Sequence, residues 1–362
     1  MKKIIDLIVG TRPNIVKACS ILKSYEENSQ IKEIAELRFI HTGQHYSENL
    51  SKNIFSSLKI RDPDIMFNVG PGNQAQQTGL IMAKYEELLI QKPCDLSLVI
   101  GDVNSTVACS ISAKKSNVKV GHIEAGLRSF DNSMPEEINR ILTDSITDIF
   151  FTTSSYANQN LLNEGVPKEA IKFVGNTMID TLKSYLLDAK PPEFLDDYNL
   201  YNNDFILLTI HRPANVDNKQ YFNHLINEIT KKFNHDKIIF PIHPRSKKNL
   251  SSEIMKIKNL VIIDALPYLE FIYLLKACNF VITDSGGISE EATFLSKKCF
   301  TLRNSTERPE TIDSGINHLV ASIEEIKNLK LNNTVNPNLK IPEKWDGFAG
   351  ERIIREICGY LS

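Results

Sequence analysis

Short apolar runs recur along the chain as IIDLIVG, LRFIHTG, LSLVIGD, VKVGHIEAG and DIFFTTS, with amphipathic segments between them. Uninterrupted apolar strands separated by helices predict a parallel sheet covered on both faces. After a polar, Pro- and Asp-rich stretch around residues 186–204 the pattern restarts with FILLTIH, KIIFPIHP, LVIIDAL, FVITDSGG and KCFTLRN. The fold class expected is α/β, with two Rossmann-like doubly wound domains facing across a cleft. Length agrees, because 362 residues exceed the ~250–300 at which a single core stops growing. The first strand series closes near DIFFTTS, which puts the hinge at 165–175. The domains expected are 1–170 and 171–345, followed by a final helix within 346–362. Ligands of open α/β sheets sit at the carboxyl ends of the strands, so the cleft is the expected site.

Composition narrows the partners. A hydrophobic content of 42%, 24% charged residues and a formal net charge of -2 describe a globular protein with no basic excess for a polyanion. Nucleic acid is not expected as a partner. The six cysteines stand singly, without a CxxC pair or a histidine spacing that would suggest zinc, and read as small apolar groups in a reducing compartment. MKKIIDLIVG starts like a signal peptide, but TRPNIVK interrupts it, and no other apolar segment approaches ~20 residues. A cytoplasmic location without membrane attachment is expected.

The polar motifs fall at predicted strand ends. VGTRPNIVK leaves the first strand and enters a helix, placing Arg12 and Lys17 where backbone N–H groups and the helix dipole favour an anion. It is neither GxGxxG nor a P-loop, so neither a nicotinamide nor ATP is suggested. In TDSGGISEEA, Ser285, Gly286 and Gly287 expose backbone donors suited to a phosphate; Glu290 and Glu291 then either accept ribose hydroxyls or complement the helix dipole. His211 and His243 end two strands of the second half, each close to an arginine, which fits a diphosphate better than a metal. TGQHY, with Gln44 and His45, and GDVNST, with Asp102, end strands of the first half. Asp102 alone reads as a helix cap. Together with HIEAGLR and PEEINR it becomes one of at least three carboxylates aimed at one cleft, an arrangement that calls for chemical work.

Taken in order, GTRPNIVK, TGQHY, GDVNST, HIEAGLRS, PEEINR, VGN, HRPANVD, TDSGGISEEA, RNSTERPE and the closing DGFAGERI resemble the non-hydrolysing UDP-N-acetylglucosamine 2-epimerases across nearly the whole chain. The resemblance implies the glycosyltransferase-B architecture, a C-terminal helix crossing back to the first domain, and a homodimer. It implies interconversion of UDP-N-acetylglucosamine and UDP-N-acetylmannosamine without a cofactor or metal, for surface polysaccharide precursors. By that match Asp102, Glu124, Glu136 and His211 form the catalytic group. Arg12, Lys17, Gln44, His243, Ser285, Gly286, Gly287 and Glu291 line the UDP site, with Glu291 on the ribose. Bacterial members bind a second, activating UDP-sugar near the TGQHY loop, which brings in His45. Arg128 and Arg140 either support neighbouring carboxylates or form structural ion pairs. The chain departs from the family pattern at Asn14, Ala214 and Ser289, which bears on the identity of the sugar; related enzymes act on UDP-2,3-diacetamido-2,3-dideoxy-glucuronate. A retaining glycosyltransferase of the same fold and a UDP-sugar-binding module without turnover are the rival readings.

Overall fold

The structure, a computed structural model, describes residues 2–44, 54–198, 200, 204–329 and 339–361. The chain forms two compact units, Met1–Ser184 together with Glu343–Ser362, and Tyr185–Pro342. In the first unit a sheet of seven parallel strands is described. They are β1 (Lys3–Val9), β2 (Ala35–His41), β3 (Ile65–Met66), β4 (Leu96–Ile100), β5 (Lys119–Ile123), β6 (Ile149–Thr152) and β7 (Ile171–Phe173), in the order β3-β2-β1-β4-β5-β6-β7. The α/β class and the doubly wound pattern expected from the apolar runs are present. β4 is buried along its whole length, because helices cover both faces of the sheet.

A buried carboxylate lies within this apolar layer. Asp6 of β1 is fully buried, accepts from Arg38 Nε and Nη2 at 2.6 and 2.8 Å, and receives the Tyr85 hydroxyl at 2.9 Å. A bidentate guanidinium and a phenol replace the water that the carboxylate loses.

The strand order reverses between β1 and β4, so the carboxyl ends of these strands border the crevice where doubly wound sheets bind ligands. The chain leaves β1 at Gly10, where a Cβ would lie 2.0 Å from Ser105 Oγ and 2.9 Å from Thr42 Oγ1. Only glycine lets the segments after β2 and β4 close over this end.

The second unit repeats the scheme in a six-stranded parallel sheet. Its strands are β8 (Phe205–Thr209), β9 (Lys237–Ile242), β10 (Leu260–Asp264), β11 (Val281–Thr283), β12 (Cys299–Thr301) and β13 (Asn317–Leu319), in the order β10-β9-β8-β11-β12-β13. Its reversal lies between β8 and β11. Phe280 packs edge-on against Phe233 and Phe300, with ring centroids 5.2 and 5.6 Å apart. Among the described residues no helix is long and apolar enough to cross a membrane. All six cysteines are buried.

The closing segment belongs to the first unit. Trp345 is buried and its indole N–H donates to the Thr153 carbonyl at 3.3 Å; the helix Ala349–Leu361 then packs on the helix Arg12–Glu27. The Asp180 carboxylate accepts the Gly350 N–H at 2.7 Å, close to the start of that final helix. Burial dominates at Asp180 and pushes its carboxyl up to about 6, although backbone donors from Gly350 and Ala349 pull the other way.

Asp180 gives a pH signature. Between its ordinary value of 3.8 and about 6 the folded state holds more protons than the unfolded chain. Its stabilising contribution is therefore complete below pH 3.8 and is lost as pH rises through about 6, a swing on the order of 3 kcal/mol. Asp180→Asn cannot titrate and keeps an acceptor for Gly350. Its unfolding free energy in urea, relative to the parent, is expected to rise by roughly that amount from pH 4 to 7. A difference that stays flat with pH would show that Asp180 does not titrate on folding.

Candidate active site

Two acid groups leave neighbouring strands of the first sheet, Asp102 after β4 and Glu124 after β5, where Ile100 pairs with Ile123. Glu124 is buried with a backbone φ of +70°, a conformation that costs a non-glycine residue roughly 1–3 kcal/mol. Its own N–H and that of Ala125 donate to the Phe151 carbonyl at 3.0 and 3.2 Å, and its carboxylate forms an ion pair with Lys17. Lys17, expected in the UDP site, is thus joined to a residue expected in the catalytic group. One turn earlier Asn14 donates to the Ile100 carbonyl at 3.1 Å and accepts the Thr11 hydroxyl at 3.0 Å, bracing the same corner. Arg12 opens the helix, partly exposed.

Asp102 has a different cation. Its carboxylate lies 3.4 Å from Arg140 Nε, and Asn139 Nδ2 donates to its carbonyl at 2.9 Å, so the helix Pro135–Ser145 holds this loop twice. Arg140 also meets Glu137 at 3.0 Å. Glu137, 1% exposed, accepts the N–H groups of Ser129 and Phe130 and the Ser129 hydroxyl, all at 2.9–3.1 Å. It shapes the loop before its own helix. Glu136, its neighbour in the first turn, is exposed.

Arg128 and Arg140 separate in role. Arg140 reaches Asp102, whereas Arg128 pairs with Asp144 at 2.7 Å and with Glu164 at 2.8 and 2.6 Å, which is a structural ion pair. Asp144 also meets His122 Nδ1 at 2.7 Å, and the Nε2 of that ring lies 2.8 Å from the Gly101 carbonyl. Burial would raise the Asp144 carboxyl, but His122 and Arg128 outweigh it and hold it below the usual carboxylate range.

Gln44 is buried, and its side-chain oxygen accepts the Ser105 N–H and hydroxyl at 3.1 and 2.9 Å. It thereby satisfies a backbone donor at the start of the helix Asn104–Lys115. Its carbonyl accepts from Gln77, which also holds Asn104. Beside this turn is a hollow of about 600 Å³ lined by residues of Val69–Leu80. His45 lies outside the described residues.

In the second unit His211 follows β8 and His243 follows β9, both exposed. Ser285 caps the helix Gly286–Phe294, its hydroxyl accepting the Ile288 N–H at 3.4 Å. A Cβ on Gly286 would lie 2.6 Å from Glu307 Oε1, so close packing also calls for glycine there. Gly287 is the second residue of that helix. The two glutamates that follow do not serve as solvated dipole partners. Glu290 is buried 2.5 Å from Arg308 Nε, and Glu291 is buried and accepts the Tyr268 hydroxyl at 2.8 Å. Ser289 is buried and donates to the Gly286 carbonyl at 2.7 Å; Ala214 is exposed.

Sequence reasoning passed over Asp284, which stands inside the quoted TDSGG motif. It is fully buried, and it accepts the N–H groups of His211 and Arg212 and the Asn215 amide at 2.9–3.1 Å. Burial would raise its carboxyl; His211, Asn215 and the backbone donors prevail and lower it. The available signal was an acid at the exit of a short, largely apolar strand. Among the described residues no group of three or more His, Cys, Asp or Glu side chains is placed to hold a metal ion.

A family model described as UDP-N-acetylglucosamine 2-epimerase matches residues 27–358. A Methanocaldococcus jannaschii protein named UDP-N-acetylglucosamine 2-epimerase is 40% identical over 366 residues, covering 97% of this chain and 98% of its own. The Pseudomonas aeruginosa UDP-2,3-diacetamido-2,3-dideoxy-D-glucuronate 2-epimerase is 37% identical over 322 residues, 88% of each chain. The crystal structure of the M. jannaschii UDP-GlcNAc 2-epimerase in complex with UDP-GlcNAc and UDP is similar with a TM-score of 0.87 at 38% identity, covering 98% of this chain and 99% of that one.

The Lys17–Glu124 pair is testable by a double-mutant cycle. Removing one partner leaves a buried charge uncompensated, so Lys17→Met is expected to destabilise the protein by about 3–5 kcal/mol. Adding Glu124→Gln should recover part of this loss, with a coupling energy above ~1 kcal/mol in chemical denaturation. Additive effects would show that the two side chains do not interact.

Proposed function

Because the chain belongs to the UDP-N-acetylglucosamine 2-epimerase family, we propose that it interconverts UDP-N-acetylglucosamine and UDP-N-acetylmannosamine by inversion at C2, without hydrolysis. The observation that carries this reading is the pair of acid groups at adjacent strand ends, Asp102 with Arg140 and Glu124 with Lys17, each supplied with its own cation.

The chemistry explains why acids and a diphosphate site belong to one enzyme. The C2 hydrogen of an N-acetylhexosamine is not adjacent to a carbonyl, so direct proton removal is very unfavourable, and loss of UDP from C1 must assist it. In an anti elimination the C2 proton passes to a carboxylate and its bonding pair forms the C1–C2 double bond. The C1–O electrons leave with UDP. Return of UDP to C1 of the resulting 2-acetamidoglucal, with protonation of C2 from the opposite face, completes the inversion. The sugar nucleotide is conserved and no redox cofactor enters the balance.

In this scheme Asp102, Glu124 and Glu136 provide acid–base exchange at C2 and negative charge near C1. Lys17 and Arg140 hold Glu124 and Asp102 in place. Arg12, His211, His243 and the Ser285–Gly287 turn bind the diphosphate, and Glu291, oriented by Tyr268, takes the ribose hydroxyls. The hollow beside Gln44 and Gln77 is assigned to a second, activating UDP-sugar. We further propose a cytoplasmic homodimer serving surface polysaccharide synthesis. The relationship to the P. aeruginosa enzyme makes UDP-2,3-diacetamido-2,3-dideoxy-glucuronate the second substrate to try.

Incubation with UDP-N-acetylglucosamine in D2O, followed by NMR, tests the scheme. Deuterium at C2 and a mixture of both epimers are expected, with no acceptor or cofactor added. Accumulation of free UDP and N-acetylmannosamine would replace this reading with a hydrolytic one, and dependence on an acceptor would favour a glycosyltransferase. Asp102→Asn is expected to lower turnover by about 10²- to 10⁴-fold while UDP affinity is retained. Equal loss of both would remove Asp102 from the acid–base group.

A further inference from the structure

The surroundings of Asp284 carry more than the stability of a loop. β8 and β11 are neighbours, with Thr209 opposite Thr283 and their hydroxyls 2.6 Å apart, so His211 and Asp284 leave the sheet side by side. The His211 and Arg212 N–H groups and the Asn215 amide already fasten the loop to the Asp284 carboxylate. A further contact involves the ring itself, with His211 Nδ1 3.0 Å from Asp284 Oδ1. The carboxylate is fully buried, whereas the His211 side chain is 56% exposed. One edge of the imidazole is therefore held inside the protein and the rest is open.

We propose that Asp284 is a positioning residue that fixes the ring and tautomer of His211, so that Nε2 faces the diphosphate of the substrate. An ionised carboxylate only accepts hydrogen bonds, so Nδ1 must carry the hydrogen that joins the two groups, and proton exchange is left to Nε2. The proposal rests on the reading that His211 acts on a UDP-sugar. In that reaction a proton on Nε2 passes to the departing β-phosphate oxygen as the C1–O bond breaks, and returns when the bond is remade. Asp284 holds the ring in this orientation throughout the transfer, as a carboxylate does for a catalytic histidine in hydrolases.

The test joins a spectroscopic and a kinetic measurement on the full chain. Long-range ¹H–¹⁵N correlation of the ¹⁵N-labelled protein, with His211→Gln to assign the signals, should show the neutral ring of His211 protonated at Nδ1. Asp284→Asn should remove this preference. It should also lower kcat with UDP-N-acetylglucosamine by about 100-fold or more while KM stays within about threefold. Asn215→Ser loosens the same loop without touching the ring, and should leave the tautomer unchanged. A purely structural Asp284 would shift stability or KM and leave the tautomer alone.

An Nε2-protonated ring in the parent protein overturns the proposal, as does a parental kcat in Asp284→Asn. If Asp284→Asn does not fold, the tautomer of the parent protein decides. If the parent protein does not turn over UDP-N-acetylglucosamine, the functional reading fails separately, and the tautomer still decides whether Asp284 governs His211.

Discussion

A charge withdrawn from water has to find its solvation within the protein, and this requirement organises both halves of the chain. Asp6, Glu124, Asp144 and Asp284 are all buried, and each is met by a cation, a set of hydrogen-bond donors, or both. Leaving any of them unpaired would cost several kcal/mol, a large part of the stability of an ordinary domain. The partners come from other segments of the chain, so the pairings fix where loops can go. The unusual backbone of Glu124 is tolerated on these terms, anchored on one side by the Phe151 carbonyl and on the other by Lys17.

Most strands were legible because their physics is local, whereas the short edge strands β3, β7 and β13 carry no long apolar run to mark them. LSLVIGD became β4 with Gly101 and Asp102 at its exit, and FVITDSGG became β11 followed by a helix that begins at Gly286. The pairings were not legible, because they join residues far apart in sequence. Lys17 and Glu124 are 107 positions apart, and Arg128 finds Glu164 36 positions on. Read as a line of letters, Glu136 and Glu137 are alike. In three dimensions the second turns inward to receive the Ser129–Phe130 backbone and the first remains in solvent. Helical phase suggests that such neighbours differ, but only the path of the preceding loop selects which one is buried.

Several residues expected on chemical grounds have structural tasks as well. Ser285 caps its helix, Gly286 makes room for Glu307, and the Gln44 oxygen serves Ser105. Each task holds the strand-end turn in one shape, so the backbone donors exposed there are preorganised. Asn14 braces its corner in the same manner, its amide donating to the Ile100 carbonyl and its oxygen accepting the Thr11 hydroxyl.

The return of residues 343–362 to the first unit has a consequence for biogenesis. A ribosome finishes all seven strands of the first sheet long before it makes Trp345 or the helix Ala349–Leu361. Until those residues have been made, Asp180 lacks the Gly350 N–H and the helix Arg12–Glu27 lacks its covering neighbour. The portion born first therefore matures only after the second unit has been made, and during that interval its open surface is what chaperones and proteases would meet.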